Sequence, residues 1–158
     1  MIKGSQCNGV VVASRANYLE VEVEVDINTN ALLKCGKKNN SKNNHIKLLC
    51  TCRSRLLYQK VFVHVGDNVT VEAIDWDSSR AVICNVFPRK SFLGKPPVAN
   101  PSLVFLAFSF RQPSFSLDQA TRFLITAEQC NIEVCLLLTK SDLLTERKLI
   151  KELERITS

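Results

Sequence analysis

The run Val134-Cys135-Leu136-Leu137-Leu138 leads straight into Thr139-Lys140-Ser141-Asp142, so an apolar stretch delivers a hydroxyl, an amine and a carboxylate to one turn. A carboxylate held there can accept two parallel hydrogen bonds. Guanine presents the matching donors, a ring N–H beside an exocyclic amine. Adenine has no such pair on that edge and would leave the carboxylate unpaired, a loss of about 1–3 kcal/mol. In this arrangement the stem of Lys140 lies over the ring and Thr139 ties the loop to neighbouring backbone. On these four residues alone, a surface turn entering a helix looks the same.

Other chemistry-bearing residues form no comparable set. His45 and His64 are far from any nucleophile or second ligand in sequence and read as structural. The seven cysteines, Cys7, Cys35, Cys50, Cys52, Cys84, Cys130 and Cys135, are an odd number lying mostly inside apolar runs, as buried free thiols in a reducing compartment do. Cys50 and Cys52 form one close pair without a second, so neither a metal site nor a catalytic residue is expected. Charge is more informative. Residues 1–100 hold 14 Lys and Arg against 8 Asp and Glu, whereas residues 101–158 hold 7 of each. No acidic residue stands between Asp26 and Asp67, while Lys34, Lys37, Lys38, Lys42, Lys47, Arg53, Arg55 and Lys60 all do. Such one-sided charge attracts a polyanion, phosphate backbones being the usual one, or else marks a merely solvated basic loop.

The elements that position these groups change character along the chain. From Leu19 to Ile27, Leu19, Val21, Val23, Val25 and Ile27 alternate with acidic residues, the period of a half-buried strand. Gly9–Ser14 supplies a partner, and Ile46–Leu57, Asn68–Ile74 and Arg80–Val86 give three more strands between turn signals. Five short strands predict an OB-like β barrel over residues 1–88, with a polar insertion near 36–45. Residues 89–101, with Pro96, Pro97 and Pro101, read as a basic, proline-rich linker. The pattern then becomes strand (Leu103–Phe108), helix (Ser116–Cys130), strand (Val134–Leu138), and helix from Thr145. These mark the start of an α/β domain over 102–158 that is still incomplete. Helix 116–130 is expected to carry Leu117, Ala120, Leu124 and Ala127 on one side. No apolar run reaches membrane-spanning length, and the first residues lack the apolar core of a secretion signal, so neither membrane nor secretion is expected.

Pro96-Pro97-Val98-Ala99-Asn100, Pro113-Ser114-Phe115, Arg122-Phe123-Leu124 and Thr139-Lys140-Ser141-Asp142 stand in an order and spacing that resembles the ribosome-small-subunit-dependent GTPase A family, RsgA or YjeQ. Residues 9–88 fit the OB domain preceding this linker in that family, so the resemblance spans nearly the whole chain. It implies a circularly permuted GTPase domain, in which the guanine-reading loop comes before the phosphate loop. Neither G-x-x-x-x-G-K-[ST] nor D-x-x-G occurs around Gly4, Gly9, Gly36, Gly66 or Gly94. The 158-residue chain is therefore expected not to hydrolyse GTP, and the family's zinc domain is expected to be missing. Thr139 stands where the family usually has asparagine, and Pro101-Ser102 where it usually has Val-Asp.

The resemblance implies a GTP- and GDP-binding hydrolase of small ribosomal subunit biogenesis, with magnesium accompanying GTP in the complete protein. Thr139, Lys140 and Asp142 would contact the nucleotide, and Arg53, Arg55, Lys60, Arg89 and Lys90 the rRNA backbone. The expected partner is the small subunit and its rRNA, and the protein is expected to be monomeric. It would be cytoplasmic, or plastid or mitochondrial where a transit peptide is missing from this chain. The alternative is a non-enzymatic OB-type RNA-binding module carrying a degenerate α/β remnant.

Overall fold

The computed structural model describes residues 6–25 and 45–157. The polar insertion, Cys35 and the predicted strand end at Ile27 lie outside these residues, apart from His45. The chain divides into two compact units, Met1–Asn100 and Pro101–Ser158.

In the first unit, strands β1 (Cys7–Ser14), β2 (Leu19–Glu24), β3 (His45–Cys52), β4 (Asn68–Asp75) and β5 (Arg80–Val86) close into a barrel in the order β1-β2-β3-β5-β4. Every pairing is antiparallel except the parallel β3–β5 seam. This is the five-stranded OB-type barrel that the alternation predicts. Period-two burial builds it. Val21, Val23, Leu48, Cys50, Val69, Val71 and Ile83 have no exposed surface, and each such aliphatic side chain contributes about 1.5–3 kcal/mol of burial. Among them Cys50 is a small hydrophobe, its thiol pushed up to about 12 by burial with a further contribution from nearby Cys52. Gly9 lets β1 lie close on β2, because a Cβ there would stand 2.6 Å from the Glu22 carbonyl oxygen.

The strand predicted over Ile46–Leu57 is shorter. β3 ends at Cys52, and Ser54–Tyr58 form a short helix, α1. Leu56 explains the change: turned back by the helix, it is 5% exposed and joins the barrel core, whereas a continuing strand would carry it past the barrel's end.

Residues 89–100, read from sequence as linker, fall within this first unit. β6 (Phe92–Gly94) and β7 (Pro97–Ala99) pair antiparallel, and Val98 bridges to Val65. Pro97 opens its strand, where a missing N–H is tolerated. The contact is tight at Gly66, whose φ is +90° and where a Cβ would come within 1.9 Å of the Ala99 carbonyl oxygen. Asn100 donates through its side-chain amide to the Gly66 carbonyl (3.0 Å) and accepts from the Lys90 amide (2.7 Å).

In the second unit β8 (Leu103–Ser109) and β9 (Glu133–Thr139) pair in parallel and are joined through helix α2 (Leu117–Gln129). Ser116 caps α2 by accepting from the Gln119 amide. Of the four residues grouped on one side of it, Ala120 and Ala127 are buried, while Leu117 and Leu124 are exposed. A 3-10 turn (Ser141–Leu143) follows β9, and helix α3 (Glu146–Thr157) comes after it. No helix among the described residues is long and apolar enough to cross a membrane.

Candidate functional site

β8 and β9 end side by side, with Ser109 opposite Thr139, so the segments leaving them share the carboxyl edge of a parallel pair. Open α/β sheets bind ligands at such edges. Thr139 is tied to β8 in two ways: its hydroxyl donates to the Phe108 carbonyl (3.1 Å), and its own carbonyl accepts from the Phe110 amide (3.2 Å). Lys140 then adopts a left-handed conformation (φ 59°, ψ 38°), which reverses the chain into the 3-10 turn. Its ammonium donates to the Gln112 carbonyl at 2.6 Å, and Ser109 donates to the Pro113 carbonyl at 2.6 Å, so the segments after both strands are fastened together. Phe115 packs edge-on against Phe108, 5.3 Å between ring centroids.

Asp142 lies within the turn, exposed, and its carboxylate makes no hydrogen bond or ion pair among the described residues. The structure thus brings Thr139, Lys140 and Asp142 together: a hydroxyl and an amine brace the backbone while a carboxylate stays open to an outside donor.

The five basic residues singled out for RNA differ from one another. Arg55, Lys60 and Lys90 are exposed. Arg53 pairs with Glu72 at 2.7 Å. Arg89 is the most engaged, donating to both Asp67 carboxylate oxygens (2.7 and 2.8 Å) and to the Phe62 carbonyl (2.7 Å), with its guanidinium 4.5 Å over the Phe92 ring. Asp67 is fully buried and also accepts from the His64 amide at 2.7 Å. Burial alone would push its carboxyl up; the Arg89 and His64 hydrogen bonds and the Arg89 charge override that and hold it below the ordinary carboxylate range. The Asp67–Arg89 pair was not foreseen, since Gly66-Asp67 reads simply as a turn and its partner lies 22 positions on. The remaining signal was that a turn aspartate preceding an alternating strand is placed where its side chain can fold inward. His64 lies 5.2 Å from Phe92 between ring centroids, and Trp76 packs against the barrel core.

Residues 86–158 match the model of a family described as RsgA GTPase. The chain is 47% identical over 148 residues to the small ribosomal subunit biogenesis GTPase RsgA of Prochlorococcus marinus (strain MIT 9303), covering 94% of this chain and 45% of the relative. To the protein of the same name from Synechococcus sp. (strain CC9605) it is 49% identical over 152 residues, covering 96% and 45%. Its fold superposes on the crystal structure of YjeQ from Thermotoga maritima with a TM-score of 0.72 at 28% identity, over 96% of this chain and 48% of that one. It also superposes on YloQ, a circularly permuted GTPase, with a TM-score of 0.70 at 21% identity. The chain therefore spans a little under half the length of the curated relatives it matches.

Proposed function

Because this chain belongs to the RsgA family of GTPases, we propose that it takes part in small ribosomal subunit biogenesis, with the second unit binding guanine nucleotide and the barrel binding rRNA. The observation that carries the nucleotide half is the unpartnered Asp142 carboxylate on a braced turn at the carboxyl edge of β8 and β9. Thr139, Lys140 and Asp142 would hold the base: the carboxylate accepts its two donors, the Lys140 stem lies along its face, and Thr139 keeps the turn in register. GTP or GDP fits this donor set at the base end, where the required chemistry is acceptance of paired N–H groups. Magnesium would accompany the phosphates, and we assign it to none of these three side chains.

The RNA half rests on charge. The first hundred residues hold the whole excess of positive charge, and Arg55, Lys60 and Lys90 are exposed on a barrel whose Arg53 and Arg89 are already paired. The setting is the compartment that holds bacterial-type small subunits: a bacterial cytoplasm, or a plastid or mitochondrion reached through a transit segment. The protein acts there as a monomer.

The deciding experiment is a titration of the isotopically labelled chain with guanosine and with adenosine, followed by NMR. Guanosine is expected to shift the amides of residues 139–144 and adenosine to leave them in place. Equal response to both, or none, would remove guanine reading and leave an RNA-binding barrel.

A further inference from the structure

OB barrels ordinarily seat oligonucleotides on the face of their second and third strands. Here the outward side of β2 carries Glu20, Glu22 and Glu24, the parity opposite buried Val21, Val23 and Val25. Across the ladder they stand opposite Leu49, Lys47 and His45. Arg15 pairs with Glu20 at 3.0 Å, which leaves two carboxylates against one lysine. Among the described residues that face carries a surplus carboxylate, which disfavours a phosphate backbone there relative to other surfaces of the barrel.

A groove of about 480 Å³ lies between the segment joining α1 to β4 and the chain leaving β5. Phe62, 71% exposed, and Phe87, 38% exposed, contribute to its lining together with Lys60, and no carboxylate does. The exposure of Phe62 follows from alternation: Val61 and Val63 on either side turn to the barrel core and point the ring outward. Its backbone is pinned, because Arg89 donates to its carbonyl. The far wall is equally fixed, with His64, Phe92 and Arg89 stacked in turn and Arg89 locked by buried Asp67. Since Asp67 offsets the Arg89 charge, the exposed amine of Lys60 is the uncompensated charge in the lining.

Flat apolar rings beside a single open cation complement a nucleotide, whose base stacks and whose phosphate carries charge. A peptide of Asp and Glu would satisfy the amine but has no planar ring system to place against two phenyl groups. We infer that this groove is a single-stranded RNA subsite, in which an unpaired base stacks on Phe62 and Phe87 while Lys60 meets the adjoining phosphate. The inference rests on the proposal that the barrel binds RNA, and it places that binding away from the β2–β3 face.

The test is fluorescence anisotropy of a labelled, unstructured RNA oligonucleotide on the full 158-residue chain over a series of salt concentrations. Phe62→Ala and Phe87→Ala are each expected to weaken binding about tenfold without changing the salt slope, since stacking carries no charge. Lys60→Ala is expected to lower the slope of log affinity against log salt by about 0.7. Phe62→Trp should bind at least as well as the parent and show quenching of its added emission by RNA, which controls for misfolding of the alanine variants. RNA binding with affinity unchanged in Phe62→Ala and Phe87→Ala, or a Phe62→Trp emission that bound RNA leaves unaltered, would overturn the groove while the barrel remained an RNA binder. Absence of RNA binding by the parent chain would overturn both. Displacement of RNA by a polyglutamate peptide whose own affinity falls in Phe62→Ala would reassign the groove to acidic peptides.

Discussion

Asp142 presents two acceptors and no donor, and this asymmetry makes its role testable by a one-atom change. In Asp142→Asn one acceptor becomes a donor, so guanine meets an N–H opposite its amine. Xanthine, which has a carbonyl in that position, now finds a partner for both groups. Guanosine affinity is expected to fall at least tenfold and xanthosine affinity to rise, each read by titration of the same labelled chain. An unchanged preference would mean that the carboxylate does not touch the base. Asp67 answers to different physics, being fully buried and opposed by one guanidinium. Asp67→Ala should destabilise the barrel by about 3 kcal/mol in urea unfolding, the low end for breaking a buried pair, because Arg89 is 28% exposed and can recover some hydration. Replacing both partners, Asp67→Leu with Arg89→Met, should return part of that loss. Its pH dependence follows from a folded-state pKa lying below the ordinary 3.8. The contribution is complete above that ordinary value and disappears as pH falls through the lower folded value, when the carboxyl takes up its proton. The stability difference between parent and Asp67→Asn should therefore be constant near neutrality and shrink only below about pH 4. A deficit that closed between pH 5 and 7 would point to another group.

At the scale of elements, close approach decides whether the β6–β7 hairpin belongs to the barrel. Gly66→Ala places a methyl 1.9 Å from a backbone oxygen that cannot rotate away, at a φ of +90° that a side chain disfavours. A loss of about 3 kcal/mol in chemical unfolding is expected, the upper end for overpacking. Near-parent stability would show that the hairpin moves aside at little cost. The same elements show what a sequence can and cannot disclose. β2 was legible because burial on one face writes period two into Leu19, Val21, Val23 and Val25. β8 and β9 were legible as unbroken apolar runs, although Leu103, Phe105 and Leu137 on them are exposed. The end of β3 was not: Leu56 and Leu57 continue an apolar stretch, and only the closed barrel shows that Leu56 is worth more as an end plug than as a strand residue. Prolines correctly excluded a central strand from residues 89–100 but concealed a short hairpin, whose stability comes from Val65, Gly66 and Asn100 contacts spanning some thirty positions. The turn at 139–142 was legible as a candidate since its residues are contiguous, and the structure adds the hydrogen bonds that brace it. The groove at Phe62 and Phe87 was not, because its two rings come from segments that only the barrel's closure brings together.

For the whole molecule, charge and chemistry divide at the same place: the first unit holds the positive excess, and the second is neutral and holds the turn proposed to read the base. Reading a base and cleaving a phosphate are separable tasks. Discrimination needs one carboxylate with the right neighbours, whereas hydrolysis needs amides, a lysine and magnesium ligands around the transferred phosphoryl group, where the developing charge lies. None of Gly4, Gly9, Gly36, Gly66 and Gly94 stands in a sequence that matches such a cradle. The purified 158-residue chain is accordingly expected to release no phosphate from GTP above a buffer blank. Guanosine, GDP and GTP should bind it equally, and magnesium should alter none of the three, because every contact proposed for Thr139, Lys140 and Asp142 is to the base. Phosphate release measured with and without the chain, alongside the three affinities with and without magnesium, checks both halves. Turnover, or GTP bound more tightly than guanosine in a magnesium-dependent way, would require a phosphate site built from residues other than these glycines and would separate the base-only assignment from the family membership, which stands on the sequence match.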